Sequence, residues 1–144
     1  MKVLLETRSR WKGIRKSEVA RKARAILDLL GSSDAELSIL LTGDEEIRQI
    51  NADYRNIDRP TDVIAFAMRE GDFGDLHEEI LGDVVISIDT AKRQAEERGH
   101  SLWDELLFLL IHGILHLHAY DHEQGGEMMA EMEAKEREIA AKVA

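Results

Sequence analysis

Hydrophobic and polar residues follow two spacings along the chain, and each spacing predicts one kind of element. Short apolar stretches rich in β-formers predict strands, at 3–7, 36–41, 62–68 and 81–88. Hydrophobic residues three and four apart predict helices, at 17–30, from 44 onward, and at 89–99, 102–117 and 123–144. The pattern predicts an α+β or α/β fold with a mixed sheet of about four strands covered by helices. It does not give the strand order.

Residues at the ends of these stretches predict where two of the helices begin and end. Ser17 is the expected N-cap of the first helix, and Gly31 is its expected stop. Ser101 and Asp104 have the spacing of a capping box, which predicts that a new helix starts at 102. The Gly-containing polar stretch 71–79 predicts a surface loop or a hairpin tip.

The stretch 102–117 is apolar on nearly every side, unlike the other predicted helices. A helix of this kind belongs in the middle of a fold, because no face of it is suited to water. Two histidines, His112 and His116, nevertheless lie on it. The sequence therefore predicts a buried central helix that carries two imidazoles.

Length and composition narrow the class of protein. The 144 residues have room for one domain, 1–144, and contain no cysteine. Disulfide partners, thiolate nucleophiles and cysteine-bound metals are therefore excluded. The first residues become charged too early for a signal peptide, and no apolar run reaches the roughly 20 residues of a membrane span. We expect a cytoplasmic protein with no membrane partner.

Charge is distributed unevenly along the chain. The net charge is −10, but residues 1–26 carry nine Lys and Arg against two Glu, a balance of +7. The other 118 residues therefore carry −17. A basic segment on an acidic body favours contact with phosphate groups. The alternative is an ordinary solvated helix face.

Histidines cluster between 112 and 122 with the spacing of a metal site. His112 and His116 share one face of a helix, and His122 follows six residues later, where a chain reversal can bring it to the same point. Three neutral nitrogen ligands favour one zinc ion and leave a coordination position for water, whose pKa zinc lowers to about 7. We expect a zinc-dependent hydrolase. His118 is expected at the rim, and His77 and His100 have no predicted role.

The same histidine spacing occurs in the metzincin proteases, so a zinc metallopeptidase is an alternative. Those enzymes carry a glutamate general base directly after the first histidine and a glycine before the last one. This chain has Gly113 and Ala119 at the two positions. Glu105 is the nearest candidate for a replacement base. A third possibility is a non-catalytic binding protein whose zinc is structural and has a fourth protein ligand, such as Asp121 or His118.

Three motifs in the chain resemble those of the YbeY family. The stretch 112–122 is similar to the family's H-G-x-L-H-L-x-G-Y-D-H signature. Residues 51–55 and 59–66 resemble its N-x-x-Y-R and P-T-D-V-L-S-F segment, and 81–87 resembles its L-G-D-I-V-I-S strand. The resemblance covers most of 51–122. Three departures, Ala119 for Gly, Ala65 for Ser and Ala67 for Pro, leave the histidines unchanged.

The resemblance implies a single YbeY-like metallohydrolase domain and a zinc-dependent endoribonuclease. The family acts on single-stranded RNA in ribosomal RNA maturation, chiefly at the 3′ end of the small-subunit RNA, and in ribosome quality control, with the small ribosomal subunit as partner. Under this resemblance the non-catalytic alternative is a ribosome-assembly factor with structural zinc. It implies that His112, His116 and His122 bind zinc and that Arg55 is the functional arginine. A guanidinium offers paired donors to phosphate oxygens, although an ordinary surface salt bridge is the alternative. Asp121 either orients a ligand imidazole or caps the next helix.

Overall fold

A computed structural model describes residues 2–67, 80–118 and 126–143. Four strands and five helices occur in these ranges, as the hydrophobic pattern predicts. The strands are β1 (Lys2–Thr7), β2 (Glu36–Thr42), β3 (Val63–Ala67) and β4 (Ile80–Ser87). The helices are α1 (Lys16–Leu29), α2 (Asp44–Arg55), α3 (Ile88–Arg98), α4 (Leu102–Leu117) and α5 (Gly126–Val143). The expected loop at 71–79 lies outside the described residues.

The four strands form one mixed sheet in the order β1-β2-β4-β3. β1, β2 and β4 are parallel, and β3 pairs antiparallel with β4. The two parallel pairs are β1 with β2 and β2 with β4, and the connection between the strands of each pair contains a helix. Parallel neighbours need a crossover of this kind. The α+β prediction with a mixed sheet is confirmed.

Alternate residues of each strand face opposite sides of the sheet, and the two sides are covered differently. On one side, Leu37, Ile39 and Leu41 are buried in the main core with helices α1 and α4. On the other side, Ile64 and Val85 pack against Ile47 of α2 in a smaller cluster. The sheet therefore has one fully covered face and one face that α2 covers in part.

α4 is the central helix of the larger core, as its composition predicts. It packs against β3, β4 and the helices α1, α3 and α5. Gly113 allows it to lie close to the sheet, because a Cβ there would be 2.8 Å from Val84 Cγ1. Leu117, four residues after Gly113, packs against the start of β4. A Cβ added at Gly82 would be 2.9 Å from Cδ2 of Leu117. The C-terminal end of α4 is thus fixed at the end of the sheet where β4 begins and β3 ends.

The boundaries of α3 and α4 agree with the sequence within one residue, those of α1 differ at its start, and the predicted ends of the last helix at 123 and 144 lie outside the described residues. Ser17 lies inside α1, so its prediction as N-cap is wrong; the cap is Arg15, whose extended backbone (φ −113°, ψ 125°) precedes the first helical turn. The predicted stop is confirmed, since Gly31 adopts a positive φ of 73° after the helix ends. The Ser101 cap is also confirmed, because its hydroxyl accepts a hydrogen bond from the Asp104 amide at 3.1 Å. Within the described ranges, no helix is long and apolar enough to span a membrane.

Candidate metal centre

His112 and His116 lie four residues apart on α4, and both are half-buried among otherwise buried neighbours. The side chain of His112 is 22% exposed, and its ring lies beside that of Phe108 with centroids 6.3 Å apart. Side chains four apart on a helix share a face, with Cβ atoms about 5–6 Å apart. The structure thus places two imidazoles side by side at the edge of the core, close enough to bind one ion.

A carboxylate lies behind the first of these imidazoles. Glu136 of α5 is 7% exposed, and its Oε1 accepts a hydrogen bond from Nδ1 of His112 at 2.8 Å. Since Nδ1 is bound to Glu136, Nε2 is the nitrogen that would bind a metal. A carboxylate on the second nitrogen of a ligand histidine is the usual environment of protein zinc sites. The donor set that is described therefore fits zinc.

The rest of the predicted ligand set lies outside the described residues. His122 and Asp121 both fall in the gap between 118 and 126, as does Ala119. In the ranges that are described, no group of three or more His, Cys, Asp or Glu could hold a metal. The three-histidine zinc site and the role of Asp121 stay predictions.

Sequence reasoning did not single out Glu136. The chain offered one signal for it. On α5, the buried residues Met132, Ile139 and Val143 recur at helical spacing, and Glu136 occupies the same inward face. A glutamate at a core position of an amphipathic helix needs a polar partner. The partner is 24 residues away in sequence, so the motif containing His112 did not reveal it.

Two other histidines have structural contacts. His118 follows α4 and links it to the segment after α1: Nε2 lies 2.7 Å from Ser32 Oγ, and Nδ1 lies 2.8 Å from the Ile114 carbonyl oxygen. His100, which had no predicted role, lies with Nε2 2.6 Å from Oε1 of Glu105. The remaining histidine without a predicted role, His77, is outside the described residues.

Glu105, the candidate base of a peptidase, is engaged elsewhere. Its side chain is fully buried, and besides His100 it accepts a hydrogen bond from Arg98 Nη1 at 3.1 Å. The guanidinium of Arg98 also lies over the Phe108 ring, 5.2 Å from the centroid. Seven residues separate Glu105 from His112, which is about 10 Å along a helix axis. The Glu105 carboxylate therefore stabilises the α3–α4 junction. Because Arg98 and His100 hold it there, it does not serve as the general base of a peptidase.

Arg55 is the last residue of α2 and is exposed. No residue in the described part of the chain forms a hydrogen bond or ion pair with its side chain, so the predicted alternative of a surface salt bridge has no support there. The preceding Tyr54 packs edge-on against Phe66, with ring centroids 5.5 Å apart. Phe66 of β3 pairs with Asp83 of β4. The residue before Asp83, Gly82, is the one against which Leu117 at the end of α4 packs. Arg55 and His116 therefore lie toward the same end of the sheet.

The neighbouring motif residues hold the turn that follows Arg55. Asn51 is 2% exposed, and its amide donates to the carbonyl oxygen of Arg59 at 2.9 Å. Asp62 accepts hydrogen bonds from the amide of Val63 at 2.7 Å and from Gln94 at 3.2 Å. These contacts fix the loop between α2 and β3, and with it the orientation of the end of α2.

A groove of 620 Å³ opens on the partly covered face of the sheet. Asp83, which belongs to the third family-like motif, lines this groove together with Ser38 and Tyr54. Burial raises the pKa of the Asp83 carboxyl, and a hydrogen bond with Ser38 opposes that shift. Sequence reasoning gave Asp83 no role of its own.

The basic N-terminal segment lies away from the histidine pair. Arg15 borders a surface hollow with Trp103 near the start of α4, thirteen residues before His116, or about 20 Å along the helix. Part of the positive charge is neutralised locally, since Arg8 pairs with Glu46 and Arg21 with Glu18. At Arg15 the segment therefore lies near the end of α4 that is opposite His116.

Comparison with known proteins gives one consistent result. A family model described as Endoribonuclease YbeY matches residues 5–144. A protein of that name from Geobacter sulfurreducens is 54% identical over 142 residues, which cover 98% of this chain and 95% of the relative. One from Aquifex aeolicus is 48% identical over 130 residues, covering 90% and 85%. A solution structure from Thermotoga maritima superposes with a TM-score of 0.67 at 26% identity, covering 98% of this chain and 88% of that one.

Proposed function

The chain belongs to the YbeY family of endoribonucleases, and from this premise we propose that it is a zinc-dependent endoribonuclease for single-stranded RNA. The observation that carries the proposal is the pair of half-buried imidazoles on α4, toward the end of the sheet at which α2 ends with Arg55, whose guanidinium has no partner among the described residues. Its substrate is ribosomal RNA, chiefly the 3′ end of the small-subunit RNA. We expect it in the cytoplasm, because that substrate and the small subunit are there.

His112 and His116 would hold one zinc ion through ring nitrogens, with His122 as the third ligand. Bound there, zinc would supply a Lewis acid that makes water nucleophilic near neutral pH. Glu136 supports this arrangement by holding Nδ1 of His112. Three histidines would leave the ion accessible to water, as in catalytic sites, whereas structural zinc usually has four protein ligands.

Arg55 would bind the phosphate that is cleaved. Negative charge builds up on the phosphate oxygens as the phosphodiester is attacked, and a guanidinium presents two parallel donors to them. The side chain suits this role because it is exposed and has no partner in the described ranges. The fixed loop after α2 limits its movement and so lowers the entropy cost of ordering it.

The test is cleavage of a single-stranded RNA that carries the 3′ end of small-subunit RNA, with its duplex form as a second substrate. We expect cleavage of the single strand, loss of cleavage with a chelator, and recovery when zinc is added back. His116→Ala should be inactive, whereas His100→Gln, a histidine change on the α3–α4 junction, should keep activity. Equal cleavage by wild type and His116→Ala would contradict the proposal. Binding to the small subunit without any cleavage would favour the assembly-factor alternative.

The same preparations address the remaining alternative. A metal-dependent digest of casein or of a peptide library by wild type, absent in His116→Ala, would favour the peptidase. We expect none, because the glutamate that serves as base in metzincins is replaced by Gly113, and Glu105 is held by Arg98 and His100. Participation in ribosome quality control is part of the proposal and requires a cellular assay of defective subunits.

A further inference from the structure

A buried carboxylate on α5 faces the ring of His112. Glu136 is 7% exposed and comes from a helix that packs on α4 and whose Met132, Ile139 and Val143 are buried in the main core. Its Oε1 and Nδ1 of His112 are 2.8 Å apart. The two helices are separated in sequence by the segment that contains His122. The contact therefore joins the helix that precedes this segment to the helix that follows it.

Packing alone does not account for a glutamate at this position. Burying a carboxylate costs free energy unless hydrogen bonds replace its hydration, and a leucine or methionine would fill the same space without that cost. The adjacent inward positions of α5 are in fact apolar, at Met132 and Ile139. The imidazole of His112 is the polar group that the described structure pairs with Glu136. The carboxylate thus belongs with the imidazole rather than with the helix interface.

We infer that Glu136 is a positioning residue for His112, an inference that rests on the zinc site of the proposed function. By accepting the Nδ1 proton it selects the tautomer in which Nε2 has a free electron pair for the metal. It also fixes the rotation of the ring about its χ angles, so that little ordering is left to occur when the ion binds. Such partners of ligand histidines typically contribute about 10- to 100-fold in metal affinity.

The competing explanation is that Glu136 only attaches α5 to α4. The two explanations predict different results for substitutions of similar volume. Glu136→Leu keeps an apolar contact between the helices and removes the acceptor, whereas Glu136→Gln keeps an acceptor for Nδ1–H and removes the charge. A helix-attachment role predicts changes in thermal unfolding without a change in metal affinity or ring tautomer.

The experiment measures zinc affinity by competition with a chromophoric chelator, together with thermal unfolding of the zinc-free protein. We expect zinc affinity to fall about 10- to 100-fold in Glu136→Leu and by less in Glu136→Gln. Glu133→Gln is the matched control, because it makes the same chemical change on an exposed position of α5 and should leave the affinity unchanged. Nitrogen-15 NMR of the His112 ring in zinc-free protein should show the Nδ1–H tautomer in wild type and lose that preference in Glu136→Leu.

The outcomes separate this inference from the proposed function. If wild type binds zinc and both Glu136 variants bind it equally tightly, the positioning role is wrong and the zinc site stands. If Glu136→Leu shows the same His112 tautomer as wild type, the role is also wrong. If wild-type protein binds no zinc at all, the proposed zinc site itself fails, and the positioning role fails with it.

Discussion

Arg98 and Arg55 each end a helix, but their surroundings differ. Arg98 ends α3, is bound to the buried carboxylate of Glu105 and lies over the Phe108 ring. Arg55 ends α2 with no partner in the described ranges. A guanidinium that is already paired serves stability, whereas one that has no partner among the described residues is available to a phosphate.

Replacing Arg55 should therefore reduce catalysis far more than stability. We expect Arg55→Ala to lower kcat/KM for single-stranded RNA by about 10²- to 10³-fold, the usual effect of removing one donor to a developing oxyanion. Arg55→Lys should recover part of the loss, because it restores the charge without the paired donors. Arg24→Ala removes the same charge from an exposed position of α1 and is the control. Steady-state cleavage kinetics and thermal unfolding of all three variants check the prediction; an Arg55→Ala enzyme as active as the control would contradict it.

Single residues were predictable from sequence where they belong to one local motif. His112 and His116 were singled out by their helical spacing and Arg55 by the family-like motif around it, and their roles in the site stay predictions. Glu136 was not predicted, because it lies among several glutamates of α5 and only the tertiary contact with His112 distinguishes it from them. His100 was missed for the same reason, since its partner Glu105 is identified only by its burial.

The elements around the site depend on one close contact between β3, β4 and α4. Gly82 has a φ of 148°, and a Cβ there would overlap the carbonyl oxygen of Phe66 as well as approach Leu117. Any side chain would therefore push β3 or the end of α4 away. Such a shift would move His116, which immediately precedes Leu117.

We expect Gly82→Ala to lower the free energy of unfolding by about 2 kcal/mol or more, since both backbone strain and overlap oppose the methyl group. Gly99→Ala is the control, because Gly99 also has a positive φ, 71°, but has nothing within 4 Å of the added Cβ. It should cost about 1 kcal/mol from backbone strain alone. Urea unfolding measures both values. If Gly82→Ala and Gly99→Ala lower the free energy of unfolding equally, the contact of Gly82 with β3 and α4 is not tight.

Asp44 joins the first turns of α2 and α3 at the opposite end of the sheet, where β2 and β4 finish. Its carboxylate accepts hydrogen bonds from Ser87 Oγ at 2.7 Å, Thr90 Oγ1 at 2.6 Å and Arg93 Nη2 at 2.8 Å. Burial tends to raise the pKa of Asp44, but the hydrogen bonds from Thr90, Ser87 and Arg93 outweigh it, so the pKa lies below its usual 3.8. The carboxylate therefore stabilises the folded state above that value, and the stabilisation is lost as the pH falls through the lowered pKa.

Asp44→Asn should accordingly destabilise the zinc-free protein at about pH 7 and have a smaller effect at about pH 3. Asp34→Asn is the control, because Asp34 is exposed and has no partner in the described part of the chain. Urea unfolding at the two pH values gives the comparison. If Asp44→Asn loses the same free energy of unfolding at the two pH values, the charge of Asp44 does not contribute to stability.

The existence and type of the elements followed from hydrophobic spacing, because that spacing decides which side of each element is buried. The start of α1 did not follow, since Ser17 is a good capping residue that the chain does not use. The strand order β1-β2-β4-β3 also did not follow. β3 reaches the edge by pairing antiparallel with β4, and no local pattern distinguishes an edge strand of this composition from an inner one.

On the scale of the whole molecule, charge is separated between the basic N-terminal segment and an acidic body. Arg10 and Lys12 are exposed and have no partner among the described residues. They come just before Gly13, Ile14 and Arg15, which border a hollow with Trp103 near the start of α4. If they contact RNA, they hold a part of the strand away from the cleaved bond.

Replacing both Arg10 and Lys12 with Gln should weaken RNA binding and reduce its salt dependence. Two lost phosphate contacts on a single strand correspond to a change of about 1.4 in the slope of log affinity against log salt. The pair Lys92→Gln and Arg137→Gln changes the net charge equally at exposed positions outside the segment and should leave the slope unchanged. Fluorescence anisotropy of a labelled RNA at several salt concentrations measures the slope. The same slope in both double variants would mean that the segment is only a solvated face.

The central claim is that imidazoles from α4 and the segment after it bind one zinc ion, and the zinc content of the purified protein tests it most directly. Elemental analysis should give about one zinc per chain for wild type and for His100→Gln, and almost none for His112→Ala, because losing one of three ligands destroys the site. Zinc content that stays the same in His112→Ala, or that is absent from wild type loaded with zinc, would contradict the account.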